Sequence, residues 1–200
     1  MGDLFYKLVY INTDSLSKDL CSEIIQLFEK DDYKYSGISM GGYNIDIKQT
    51  TDLNITTRAN EDKRWEIIHN VLLKELKHNI TKYIQNFQDH INNDEYHLFK
   101  NNNLGITNIQ IQYYEKNVGM FKYHDDSEIV WENKSKRVLV FIWYLNDIDE
   151  GGETEFCGTY TIKPQTGKMI LFPAEWTFPH RGIIPKSNNK YIITGWVFSY

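Results

Sequence analysis

Apolar residues recur at helical spacing twice in the first half of the chain, and at strand spacing through most of the second. Leu16, Leu20, Ile24, Leu27 and Phe28 mark one face of a helix that begins near Ser17. Ser17 and Asp19 suit its first turn, where free N–H groups favour an oxygen acceptor and negative charge. A longer stripe runs through Trp65, Ile68, Leu72, Leu76, Ile80, Tyr83, Ile84 and Phe87, with Asn60 as its candidate cap. On that helix His69 and His78 read as solvent-facing. Residues 5–11 read as a short strand entering the fold. Residues 33–57 keep no clear period and carry Gly37, Gly41 and Gly42, so irregular strands and a mobile loop are expected there. Residues 92–105 form a polar connector.

After Gly105 the period changes to two. Thr107, Ile109, Ile111 and Tyr113 fall on one face of a strand over residues 106–114, and Asn108, Gln110, Gln112 and Tyr114 on the other. Residues 138–145 are apolar without a break, as suits a strand covered on both sides. Shorter strands are expected at residues 159–162 and 168–172, and a long one at 190–198. Glycines and prolines punctuate the gaps. Helices first and closely spaced strands afterwards predict an α+β chain with a β-sandwich or barrel at its C-terminal end. With 200 residues and no repeats, one domain is expected, its helices within 1–105 and its β core in 106–200.

Composition narrows the partners. A net charge of −5 with no basic block argues against nucleic acid and against an anionic membrane surface. No apolar run reaches membrane-spanning length, and the first residues lack a cationic segment followed by an apolar one. Gly2 raises myristoylation, but the following residues fit that motif poorly. Cys21 and Cys157 stand alone, which suits a reducing compartment, so a cytoplasmic location is expected. Oligomeric state leaves no trace in the sequence.

The chemistry centres on His124 and Asp126. A histidine and a carboxylate two residues apart can converge on one metal ion, and His180, 54 positions after Asp126, is the candidate third ligand. Two imidazoles and one carboxylate on one face of iron leave three positions open. An isolated H-x-D is common by chance, so its surroundings decide. Strand parity puts Lys190, Ile192, Thr194, Trp196 and Phe198 on one face. A buried lysine there needs a partner, which a ligand carboxylate would supply; the plain alternative is that Lys190 marks the exposed entry of the strand. If the polar face of the 106–114 strand lines the same cavity, Tyr114 and Gln112 join it, whereas Gln110 reads as solvent-facing. Asp125 reads as a solvated neighbour, and His90 and His97 have no suitably spaced partner.

The order Tyr114, His124, Asp126, His180, Lys190, Thr194, Trp196 resembles the 2-oxoglutarate and Fe(II)-dependent dioxygenases, most closely their prolyl 4-hydroxylase branch. Further elements agree in order and spacing: Arg137-Val138, Trp143-Tyr144-Leu145-Asn146, Glu150-Gly151-Gly152-Glu153-Thr154-Glu155-Phe156, Pro164-Gln165-Thr166-Gly167, His180-Arg181-Gly182 and Lys190-Tyr191. The resemblance implies a double-stranded β-helix (jelly-roll, cupin-like) core supported by two N-terminal helices. It implies Fe(II) on His124, Asp126 and His180, with 2-oxoglutarate and O2 as co-substrates and ascorbate as reductant. Lys190 would pair with the distal carboxylate, helped by Tyr114, Tyr144, Thr194 and Gln112, and Trp196 would wall the pocket. Hydroxylation of a prolyl residue in a peptide or protein, with succinate and CO2 as co-products, is the implied reaction. Val140 departs from the family, many members of which have threonine there. A mobile loop over the site is implied at residues 37–54, with Tyr43 and Lys48, and separately Arg181, as candidate substrate contacts, though each reads first as ordinary surface. Competing readings are the same chemistry on a free amino acid or other small molecule, a non-catalytic cupin-like binding module, and a zinc hydrolase.

Overall fold

In a computed structural model of the chain, residues 5, 7–39, 41–91, 97–99, 103–130, 132 and 134–200 are described. The helices are α1 (Lys18–Lys30), α2 (Ile55–Arg58) and α3 (Lys63–Ile91). The early strands are β1 (Tyr10–Asn12), β2 (Tyr35–Ser36), β3 (Lys48–Gln49) and β4 (Thr51–Asn54). There follow β5 (Leu104–Ile106), β6 (Gln110–Tyr114), β7 (Met120–His124), β8 (Ile129–Val130) and β9 (Ser135–Tyr144). The last are β10 (Thr154–Phe156), β11 (Tyr160–Ile162), β12 (Met169–Pro173), β13 (His180–Gly182) and β14 (Lys190–Ser199). One antiparallel sheet runs β1-β12-β9-β14-β6-β4-β2, with β5 and β8 attached to β14 and β9. The other runs β11-β10-β13-β7-β3. This is the expected α+β jelly roll.

Its core has two compartments, and the sequence periods explain both. On β9, Leu139, Phe141 and Trp143 face α1 and α3, where they meet Ile24, Phe28, Trp65 and Leu72. Val140, Ile142 and Tyr144 face the other way, into the space between the sheets, with Phe156, Phe172 and Ile192. Burial on both faces is why that strand reads as an unbroken apolar run. Gly195 is required where β14 crosses this layer, since a Cβ there would lie 2.6 Å from Cζ of Phe141 and 2.9 Å from the carbonyl oxygen of Asn108.

Four local expectations are corrected. Phe5, Lys7 and Leu8 are helical, and only Tyr10–Asn12 is strand. Phe5, Leu8 and Val9 stand at i, i+3 and i+4, so a helical turn lets all three pack into the inter-sheet core. The cap of α3 is Asp62, whose Oδ1 accepts the Arg64 N–H at 2.8 Å, while Asn60 turns back to the carbonyl of Thr56. His69 is half-buried, its Nε2 3.2 Å from Thr56 Oγ1, whereas His78 is exposed. The 106–114 strand is broken: β5 pairs with the end of β14, and β6 pairs with its beginning. Ser17 caps α1 as expected, accepting the Leu20 N–H at 3.2 Å. Among the described residues, no helix is long and apolar enough to cross a membrane.

Candidate metal centre and adjoining cavities

His124 closes β7, His180 opens β13, and the two are directly paired across the smaller sheet. Opposed residues of antiparallel strands hold their Cβ atoms about 5 Å apart on one face, so the imidazoles converge. Their ring centroids are 4.3 Å apart. Asp126 follows β7 and turns back, bringing Oδ2 to 3.3 Å from Nε2 of His180. One ligand atom from each of the three lies within 4.8 Å of the others. Backbone carbonyls fix the tautomers: His124 Nδ1 is 2.8 Å from the oxygen of Lys122, and His180 Nδ1 is 3.1 Å from that of Phe178. A carbonyl only accepts, so each Nδ1 carries the proton and each Nε2 presents a lone pair. Burial, reinforced by His180 and opposed by Asp126, pushes His124 down to about 4, which keeps the ring in its neutral, ligating form. Two lone pairs and a carboxylate thus converge with no donor between them. A cation satisfies that set.

Next to it lies a pocket of about 40 Å³, lined by Gln112, Tyr114, Lys190, Thr194 and Trp196 together with the three candidate ligands. Strand pairing places Lys190 opposite Tyr114, and Ile192 opposite both Gln112 and Tyr144. Lys190 is 1% exposed. Its Nζ donates to the carbonyl of Gly152 at 3.0 Å, and among the described residues no carboxylate lies within ion-pair distance. Gly152 can offer that carbonyl because its φ of 76° is accessible to glycine. Burial lowers the ammonium to about 7, with Glu153 pulling the other way. The exposed-entry reading of Lys190 is therefore wrong. The Tyr114 hydroxyl donates to Oε1 of Gln112 at 3.0 Å, and burial raises it well above the phenol range. Thr194 Oγ1 donates to the carbonyl of Phe141 at 2.8 Å. Tyr144 does not line the pocket: its hydroxyl is bonded to Thr154 Oγ1 at 2.7 Å. Val140 faces the pocket as expected.

A larger cavity of about 590 Å³ opens on the other side of His124 and Asp126. Gln110 lines it, against the expectation of a solvent-facing side chain, as do Lys48, Asp52, Arg137 and Trp196. Lys48 is no surface residue: it is buried and pairs with buried Asp52 at 2.7 Å. Tyr43 is exposed and lies outside this cavity, and Arg181 lines the inner pocket while pairing with Glu155 at 2.9 Å. Asp125 also lines this cavity, and its Oδ1 accepts the Ser127 N–H at 3.1 Å. Strand parity hides Arg137. From Val197 to Phe198 the partner on β9 jumps from Leu139 to Arg137, so Val138 is skipped. Both Val138 and Leu139 then pack on the helix side, and Arg137 swings to the cavity side, 3.8 Å over the ring of Trp196.

Comparison with known proteins decides the class, because residues 109–198 match the 2OG-Fe(II) oxygenase superfamily. That stretch contains every residue named for the metal centre and its inner pocket. No curated protein matches the sequence. Among solved structures, a prolyl hydroxylase from Trichoplax adhaerens, in complex with a hypoxia inducible factor peptide fragment, is similar at TM-score 0.73 and 17% identity, covering 98% of this chain and 86% of that one. A Pseudomonas putida prolyl-4-hydroxylase gives 0.66 and 14%, over 98% and 95%. A viral collagen prolyl hydroxylase from Paramecium bursaria Chlorella virus-1, solved with 2OG, gives 0.64 and 17%, over 96% and 97%. The oxygenase domain shares their fold. The groups its superfamily is named for fit the site: an acceptor-only triad suits iron, and a buried ammonium suits a carboxylate.

Proposed function

We propose that His124, Asp126 and His180 hold Fe(II), that Lys190 holds the far carboxylate of 2-oxoglutarate, and that the enzyme hydroxylates prolyl residues in a peptide or protein. One observation carries this reading: the triad of acceptors opens into the same pocket as a fully buried ammonium that, among the described residues, has no carboxylate within ion-pair distance. Bound there, iron and 2-oxoglutarate would supply O2 activation for attack on an unactivated C–H bond, with succinate and CO2 as co-products. The side chains of the protein orient and exclude. Lys190 fixes one end of the co-substrate by charge, and Gln112, Tyr114 and Thr194 offer polar contacts along it. Trp196, Phe121, Val140 and Ile142 keep water from the reacting atoms. Phe121 stacks on the His124 ring at 3.6 Å and holds its plane. Ascorbate is the reductant we expect to keep the iron ferrous. The unpaired thiols of Cys21 and Cys157 support a reducing compartment, the cytoplasm.

The outer cavity supports a peptide in preference to a free amino acid. Its volume of about 590 Å³ far exceeds a single proline. Trp196 Nε1 and Arg137 Nε, both on residues lining it, are buried donors with no acceptor among the described residues, which peptide carbonyls would provide. The peptide complex of the Trichoplax relative is in keeping with this. Purified protein supplied with Fe(II), 2-oxoglutarate and ascorbate should form succinate, and proline-containing peptides should gain one oxygen by mass spectrometry. His124→Ala and Asp126→Ala should each abolish both. Succinate formation that survives both substitutions would sink the assignment, and oxygen gained by free amino acids but by no peptide would sink the substrate class.

A further inference from the structure

Asp126 lies beyond the last residue of β7, and its carboxylate faces the two histidines, with Oδ2 3.3 Å from Nε2 of His180. What steadies it comes from β9. Arg137 Nη2 is 2.6 Å from Glu128 Oε2, and Nη1 donates to the carbonyl of Asp126 at 3.4 Å. The backbone N–H of Arg137 also donates to the carbonyl of Glu128 at 3.0 Å. One side of the guanidinium rests on the Trp196 ring at 3.8 Å, so the plane of the fork is set by stacking and its rotation by Glu128. The ladder irregularity that skips Val138 brings Arg137 to this side of the sheet at all.

We propose that Glu128 and Arg137 form a clamp that positions Asp126 for metal binding, an inference that rests on the metal reading of the triad. Neither residue touches the metal; both act through the segment 126–128, which the clamp fastens to β9 at three points. A ligand already ordered before the ion arrives loses less freedom on binding, which is how groups behind the ligands raise metal affinity. Lysine cannot replace Arg137, because a single ammonium cannot stack on an indole and fork to two acceptors together.

The test is a titration of the full chain with Co(II), with no 2-oxoglutarate and no turnover. Glu128→Ala and R137K should each raise the Co(II) dissociation constant about tenfold or more, while Glu128→Gln keeps the metal-free melting temperature of the wild type. Glu128→Gln, which keeps an acceptor for Nη2, should recover most of the affinity. The double variant should lose no more than the worse single one, because the two residues act as a unit. Variants binding Co(II) within about twofold of the wild type, or losses that add in the double variant, overturn the clamp and leave the metal site standing. Wild-type protein that binds no Co(II) overturns the clamp together with the reading beneath it. Should R137K fold poorly, the two Glu128 variants decide the question alone.

Discussion

The ammonium of Lys190 lies 3.9 Å from the centre of the Tyr114 ring, the two residues facing each other across β14 and β6. Burial, only partly opposed by Glu153, leaves the proton loosely held, at a pKa of about 7, with the carbonyl of Gly152 accepting from the ammonium. A carboxylate placed beside it raises that value again. Binding of 2-oxoglutarate at pH 8 should therefore take up a proton, and its affinity should weaken roughly tenfold per pH unit above about 7. Calorimetry in buffers of different ionisation heat measures both effects; an affinity flat from neutral pH upward would contradict the assignment. The same depression sets a sign for stability. The unfolded lysine keeps its ordinary 10.5, so between 7 and 10.5 the unfolded chain binds more protons and stability rises with pH.

Lys190→Met should remove 2-oxoglutarate binding while leaving the fold as stable as before, or more so. The substitution deletes a buried charge whose only hydrogen-bond partner among the described residues is a carbonyl, and it keeps a side chain of similar length. The checks are a 2-oxoglutarate titration and a melting curve of the unliganded protein. Tyr114→Phe loses one hydroxyl contact, worth about 1 kcal/mol, and should weaken binding only several-fold.

The two adjacent aspartates should behave oppositely. Asp126→Ala should abolish metal binding, whereas Asp125→Ala should leave it within about threefold, since Asp125 accepts from Ser127 and is not one of the three converging ligands. Titration of both variants with Co(II) separates them, and equal losses would show that the turn matters as much as the ligand.

Lys48→Met strands the carboxylate of Asp52 inside the protein, with only Thr50 Oγ1 donating to it at 2.7 Å. A cost of about 3–5 kcal/mol is expected at neutral pH. Burial already raises Asp52 above the usual carboxylate range, so the loss should shrink as pH falls and the acid takes up its proton. Urea denaturation of variant and wild type at neutral and acid pH measures the difference. A loss independent of pH would rule out the buried charge as its cause.

Gly195→Ala should lower stability by about 1–3 kcal/mol through overpacking against Phe141. The strand carrying Thr194 and Trp196 must shift to relieve the contact, so co-substrate affinity should fall with the melting temperature.

Much of this site was legible along the chain because strands alternate. The period of two correctly put Tyr114 and Gln112 on one face of β6, and Lys190, Thr194 and Trp196 on one face of β14, and the spacing of His124, Asp126 and His180 suggested the triad. The helical stripes located α1 and α3, and the unbroken apolar run of β9 told of burial on both sides. What periodicity could not carry was any feature set by a contact between distant segments. Parity puts Arg137 with Leu139 and Phe141; only the skipped residue opposite β14 turns it to the cavity. Lys48 reads as a surface lysine until Asp52 and the ring of Phe121 are found to cover it. Tyr144 sits on the pocket side of its strand, yet Thr154, arriving from β10, takes its hydroxyl. Local sequence thus decides which way a side chain leaves its strand. What that side chain meets is decided by the other sheet, and that depends on the whole fold.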